Sequence, residues 1–91
     1  MIRVTGTLSC RTAGEADFVR THLPDHVRLS RSEPGCLSFN VDPTDDPLVW
    51  RLDETFTDRP AFQAHQTRTR ASVWFAATSQ LGRDFQVSES D

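Results

Sequence analysis

Glu33-Pro34-Gly35-Cys36-Leu37-Ser38-Phe39-Asn40-Val41 is the stretch that decides the fold. Proline lacks a backbone N–H, and its ring pushes the residue before it out of the α region, so a helix arriving at Glu33 must stop there. Gly35 supplies the backbone angles of a tight turn. Beyond Cys36, the residues Leu37, Phe39 and Val41 alternate with Ser38 and Asn40, the period of a strand buried on one face. A helix exit, a turn and a strand therefore follow one another with no linker between them.

Toward the N-terminus, residues 2–11 alternate in the same way. Ile2, Val4, Gly6, Leu8 and Cys10 face one side, and Arg3, Thr5, Thr7, Ser9 and Arg11 the other, which is a strand with one buried face. Thr12 and Glu15 have capping-box spacing. A helix is expected over about 14–32, with Phe18, Val19, Leu23 and Val27 at helical spacing and Pro24 kinking or splitting it. Toward the C-terminus, the second strand covers about 36–42 and a turn-rich loop 42–47 follows. A third strand, about 48–56, puts Leu48, Trp50, Leu52, Glu54 and Phe56 on one face and Val49, Arg51, Asp53 and Thr55 on the other. Asp58 and Pro60 suit the start of a helical region that runs to about 81 and breaks near 66–69. Trp74, Phe75, Thr78 and Leu81 give that region a second apolar stripe, and Gly82 is placed to end it. A short last strand fits 83–88, with a frayed end over 88–91.

The order βαββαβ predicts an α+β fold with a ferredoxin-like antiparallel sheet. Ile2/Val4/Leu8, Leu37/Phe39/Val41 and Trp50/Leu52/Phe56 form the face that helices cover. Thr5, Thr7, Ser9, Ser38, Asn40, Arg51, Asp53 and Thr55 form the other. That polar face is stable open to water, or it could meet a second subunit and enclose a polar-lined cavity.

Composition narrows the chemistry. The 91 residues predict a single domain, 1–91. Such a chain buries only about 60–65% of its unfolded surface, so oligomerisation is a natural supplement to its core. No apolar run approaches the ~18 residues of a membrane span, and the start lacks a secretory pattern. The expectation is a soluble cytoplasmic protein without a membrane partner. Net charge is −3 and the basic residues are scattered, which argues against nucleic acid. Arg68-Thr69-Arg70 reads as a solvated helix surface. All ten basic residues are Arg and there is no Tyr, so neither a Schiff-base lysine nor a catalytic phenol exists. Cys10 and Cys36 make no CxxC pair and read as small buried hydrophobes. His22 and His26 stand i, i+4 without the Glu of an HExxH helix and read as a solvated pair.

Four elements together resemble the antibiotic biosynthesis monooxygenase family of small dimeric α+β barrels. They are the Gly14 turn after the first strand, Glu33-Pro34-Gly35-Cys36, Glu54-Thr55-Phe56 closing the third strand, and Phe62 with His65 on the next helix. The resemblance covers nearly the whole chain, and the Glu-Pro-Gly-Cys element is its most specific part. It implies a homodimer whose sheets meet face to face, and a pocket between sheet and helices that takes a small aromatic ligand. It further implies, for the oxygenase members, oxidation of a planar aromatic polyketide or quinol by O2 with no cofactor and no metal. Other members degrade haem or act as isomerase-like proteins, so the fold alone does not fix the activity.

Against that family pattern, Phe56 stands where characterised oxygenases carry a Trp, and Leu52 where they carry an Asn. Thr7 stands where the haem-degrading branch has an Asn, and Phe75 where it has an axial His, which points away from haem degradation. The resemblance makes His65, Asn40 and Thr7 the candidate catalytic residues, and Phe56, Leu52, Phe62, Trp74 and Phe75 the candidate substrate contacts. Each has a plainer reading. His65 could hold a helix face, Asn40 and Asp53 could be exposed strand positions with Asp53 paired to Arg51, and Trp74 and Phe75 could be core. Glu54 could face the pocket or an Arg of a partner chain. Strict alternation puts Phe56 on the helix-covered face, whereas the family puts its equivalent in the pocket. The rival function is a non-oxygenating, ligand-binding or isomerase-like dimer of the same fold; a third reading is a small protein-interaction module.

Overall fold

Strand β1 (Ile2–Ser9) lies between β3 (Val49–Phe56) and β4 (Gly82–Glu89), and β2 (Cys36–Pro43) lies outside β3. A computed structural model describes residues 1–90. All neighbouring strands are antiparallel, in the order β2-β3-β1-β4. Helix α1 (Ala13–Arg31) connects β1 to β2, and α2 (Arg59–Arg70) with α3 (Val73–Thr78) connects β3 to β4. This is the ferredoxin-like sheet the sequence predicts, with both crossovers on one face.

Local chemistry sets the helix ends. The Thr12 hydroxyl accepts from the Glu15 backbone N–H at 3.2 Å, while the Glu15 carboxylate accepts from the Arg11 N–H at 2.7 Å. The Asp58 carboxylate caps α2 by accepting from the Ala61 N–H at 2.9 Å. Pro24 does not divide α1, which runs unbroken for 19 residues. The proline is exposed, so the hydrogen bond it cannot donate is lost on the watered side. The expected break near 66–69 falls instead at residues 71–72, where Ser72 caps α3 by accepting from the Phe75 N–H. Gly82 opens β4 rather than only ending a helix, and β4 runs through Glu89. The Ser90 N–H reaches the Met1 carbonyl, so the frayed end expected over 88–91 is paired as far as Ser90. Asp91 lies outside the described residues.

The inner sheet face buries Ile2, Val4, Leu8, Phe39, Trp50, Leu52 and Phe56 against the helices. Two clusters result: Leu8, Cys10, Val19, Leu23, Trp50 and Leu81 toward one end, and Ile2, Val4, Phe39, Leu52, Phe56 and Phe62 toward the other. Leu37 departs from the predicted face. A bulge lets Cys36 pair with Phe56 and Ser38 with Thr55, leaving Leu37 unpaired and 58% exposed. The extra residue takes up one step of the alternation, so Cys36, not Leu37, packs inward. On the outer face Asp53 pairs with Arg3, at 2.8 and 3.1 Å, rather than with Arg51. That pair is exposed and screened by water, so it adds little to stability.

Gly35 is where the deciding stretch meets the second half of the chain. Its φ is +85°, and a Cβ there would lie 2.6 Å from the Ala61 Cβ and 2.8 Å from the Thr57 Oγ1. The Thr57 N–H also donates to the Gly35 carbonyl at 2.8 Å. A side chain would push the turn off the start of α2. Gly35→Ala is therefore expected to lower unfolding stability by about 2–4 kcal/mol. Gly14→Ala, whose Cβ would meet nothing closer than 3.8 Å, should change it by less than about 1 kcal/mol. Urea unfolding of both variants checks this; equal effects would refute the docking role of Gly35.

Candidate functional site

Between the inner sheet face and the helices lies a cavity of about 270 Å3. Members of both core clusters form its apolar wall, among them Val4, Leu8, Leu23, Phe39, Leu52 and Phe62. Trp74 and Phe75 from α3 supply aromatic surface, and Phe85 and Val87 from β4 line it while remaining 39% and 52% exposed. Its polar side chains are His26 from α1, Glu54 from β3, His65, Gln66, Thr69 and Arg70 from α2, and Arg83 from β4.

His65 links the cavity to a polar cluster behind its wall. Glu33, the last residue before the Pro34 turn, accepts from His65 Nδ1 at 2.7 Å and pairs with Arg68. Arg68 also donates to the fully buried Ser30 hydroxyl at 2.8 Å. Because a carboxylate can only accept, the proton of neutral His65 sits on Nδ1, and Nε2 carries a lone pair. Nε2 lies 3.4 Å from the Thr69 hydroxyl and 3.8 Å from the Glu54 carboxylate oxygen. Glu54 stands on an otherwise apolar strand face, 7% exposed, and no Arg pairs with it among the described residues. Burial pushes its carboxyl up to about 8, and the charges of Glu33 and Asp53 act the same way. Burial lowers the pKa of His65, outweighing the hydrogen bond and charge of Glu33. At neutral pH the Glu54–His65 contact is thus between two uncharged groups, not an ion pair.

His26 stands beside this cluster without a hydrogen bond to it. It is 7% exposed, stacks on Trp74 at 5.1 Å and meets the Phe39 edge at 5.5 Å. Its Nδ1 has no hydrogen-bond partner. Burial takes its pKa down to about 3, with the charges of Arg68 and Arg83 adding to the effect, so it is neutral.

Of the residues singled out from sequence, His65, Leu52, Phe62, Trp74 and Phe75 line the cavity. Phe56 is fully buried beneath it, against Phe62 at 5.5 Å and His65 at 5.0 Å. The conflict over Phe56 disappears, because the cavity lies on the helix-covered face. Asn40 and Thr7 are on the opposite face, where Asn40 accepts from Arg31 at 3.3 Å; the structure does not bring them to the cavity. His26 is a correction: it is not half of a solvated pair, since only His22 is exposed. The signal was present, because Ala16, Val19, Leu23, His26 and Ser30 are one helical stripe. Glu33 and Arg68 carried no local signal, as their partners are 32 and 35 residues away.

The family model for antibiotic biosynthesis monooxygenases matches residues 1–77. The chain belongs to the antibiotic biosynthesis monooxygenase family. Solved structures share the fold of this family member closely. A candidate antibiotic biosynthesis monooxygenase from Deinococcus radiodurans superposes with a TM-score of 0.80 at 23% identity, covering 100% of this chain and 93% of its own. One from Nitrosomonas europaea gives 0.81 at 18% identity, covering 99% and 98%. A conserved protein of unknown function from Bacteroides thetaiotaomicron gives 0.76 at 15%, covering 98% and 96%. No curated protein matches the chain. These identities establish shared architecture. No helix of the described residues is long and apolar enough to cross a membrane.

The groups with the largest shifts, Glu54 and His26, give this family member a defined stability profile. Glu54 ionises near 4.5 when unfolded and about 8 when folded, so its stabilising contribution is full below 4.5 and is lost as pH rises to 8. His26 protonates near 6.5 when unfolded and about 3 when folded, so stability is lost as pH falls below 6.5. The two slopes cancel between these limits, at about 1.4 kcal/mol per pH unit each. The lowered His65 adds to the His26 slope, so urea midpoints should rise gently from 4.5 to a maximum near 6.5 and fall on both sides of it. Glu54→Gln should flatten the alkaline side, adding at most about 3 kcal/mol at pH 7, and His26→Leu the acid side. An alkaline decline unchanged in Glu54→Gln would contradict the assignment.

Proposed function

We propose that the cavity binds a planar, electron-rich aromatic substrate, an anthrone or quinol of the polyketide type, and oxidises it with O2 without a cofactor. The observation that carries this reading is His65: its Nδ1 is held by Glu33, and its Nε2 is left as a base beside a protonated carboxyl. Two groups with such opposite shifts are matched to acid and base duty in one site. The aromatic walls of Phe62, Trp74 and Phe75 suit a flat ring.

His65 Nε2 takes a proton from the acidic ring CH2, and the resulting carbanion gives one electron to O2. The substrate radical and superoxide combine, forming the C–O bond, and the peroxide oxygen regains the proton from His65. Loss of the second ring C–H proton then forms the C=O bond and breaks O–O. The departing hydroxide is protonated from Glu54, which recovers its proton from the C–H lost in that step. Each turn consumes one O2 and one CH2 and yields one ketone and one water. The apolar walls of the cavity keep superoxide beside its radical partner.

The reading includes a cytoplasmic homodimer joined through the sheet face that no helix covers. A non-oxygenating binder of the same aromatic ligands is the second reading. It is favoured by one observation: Leu52 and Phe56 bring no hydrogen-bond donor to the site.

Oxygen uptake with an anthrone, using 18O2, tests the proposal. The expected result is stoichiometric uptake with label in the product ketone, and a rate that holds to about pH 8 and falls above it as Glu54 ionises. His65→Ala should lower kcat by about 10²-fold or more, and Glu54→Gln should remove the alkaline fall. Uptake no faster than the spontaneous reaction would overturn the oxygenase reading, and ligand recovered unchanged from the protein would favour the second.

A further inference from the structure

Arg70 and Arg83 line the cavity without an acidic partner among the described residues, whereas most arginines of the chain pair with a carboxylate. Arg83 is half-buried. Its guanidinium donates to the Thr78 carbonyl at 2.6 Å and the Thr78 hydroxyl at 2.7 Å, and lies 5.5 Å from the Phe75 ring centre. Two of its five N–H groups are thus anchored and the rest are unassigned. Two bonds to a threonine do not need a positive charge, and burial works against that charge, lowering the pKa of the group.

The charge balance of the cavity is the opposite of that of the chain. The protein carries a net −3. Behind the cavity wall, Glu33 and Arg68 neutralise one another, and in the wall itself Glu54, His26 and His65 are uncharged at neutral pH. What remains is the positive charge of Arg83 and, at the exposed rim, of Arg70. The register separates this charge from the acid–base pair. Glu54 and Val87 flank Val4, whereas Arg83 flanks Leu8. Four residues along β1 correspond to about 13 Å, roughly the length of two or three fused rings once the Arg83 side chain reaches inward.

We propose that the substrate is an aromatic carboxylate, its reacting ring carbon at His65, a ring oxygen at Glu54 and its carboxylate on Arg83 at the other end of the cavity. This rests on the aromatic-cavity reading above and narrows its substrate class. A carboxylate matches the guanidinium fork and is held at both oxygens. Anchored there, a flat ligand can slide neither along the strand nor turn end for end. The same arginine then fixes which ring carbon meets His65.

Two ligands that differ only in charge test this: a dihydroxyanthraquinone carboxylate, and the same dihydroxyanthraquinone with methyl in place of the carboxylate. Neither is oxidised further, and quenching of tryptophan fluorescence reads binding, since Trp74 lines the cavity. The wild-type protein should bind the carboxylate about tenfold tighter at low salt, with the preference shrinking as NaCl is raised. Arg83→Gln should weaken the carboxylate ligand at least about fivefold more than the methyl one, and Arg83→Lys should restore part of the difference. Equal affinities in the wild type, or equal losses in Arg83→Gln, would overturn the charge selection and leave the aromatic cavity standing. Failure of both ligands to bind would overturn the charge selection and the aromatic cavity together. The wild-type pair and its salt dependence decide the question even where Arg83→Gln does not fold.

Discussion

The Glu33 carboxylate, at the end of the first helix, is held by His65 and Arg68 on the second. This one anchor ties the βαβ half of the chain to the half that supplies the cavity roof. It depends on Pro34 stopping the helix and on Gly35 coming close enough to Ala61 for the two segments to touch. Arg68 extends the anchor to Ser30, one turn back on α1. With both helices fixed, the gap between them and the sheet has a defined depth, and its floor is Glu54.

Glu54 is the cost of that arrangement. A carboxyl among Val4, Phe39, Leu52 and Phe56 gains nothing from packing, and no arginine among the described residues neutralises it. The hydrophobic surroundings solve the problem by keeping it protonated. The same surroundings keep His26 and His65 uncharged. A site with one neutral acid, two neutral imidazoles and an unpaired arginine can accept negative charge that develops on a ligand, and this is the property shared by the oxidation proposed and the selection by Arg83.

Much of this was legible in the sequence because it is local. Alternation placed β1 and β3, put Glu54 on the inner face, and assigned the polar residues to the outer one. Thr12 and Asp58 marked helix starts by side-chain chemistry that acts over three residues. Errors arose where one added residue or a distant partner decides. Leu37 is displaced by a bulge that only the pairing with β3 reveals. His26 reads as solvated beside His22 at i+4 spacing, whereas the stripe through Leu23 and Ser30 carries it into the core. Glu33 entered as part of a motif, and the motif says nothing of the helix it meets. Arg83 looked like the start of a short strand, and only the sheet order sets it beside Leu8 at the cavity wall.

The central claim is that the cavity floor holds its proton at neutral pH. Titration of the Glu54 carboxyl by carbon NMR in the ligand-free protein tests it most directly. The account predicts a midpoint close to 8, well above the ordinary value of 4.5. A midpoint at or below 4.5 would mean a charged carboxylate beneath the substrate, and would contradict the acid–base assignment at its root.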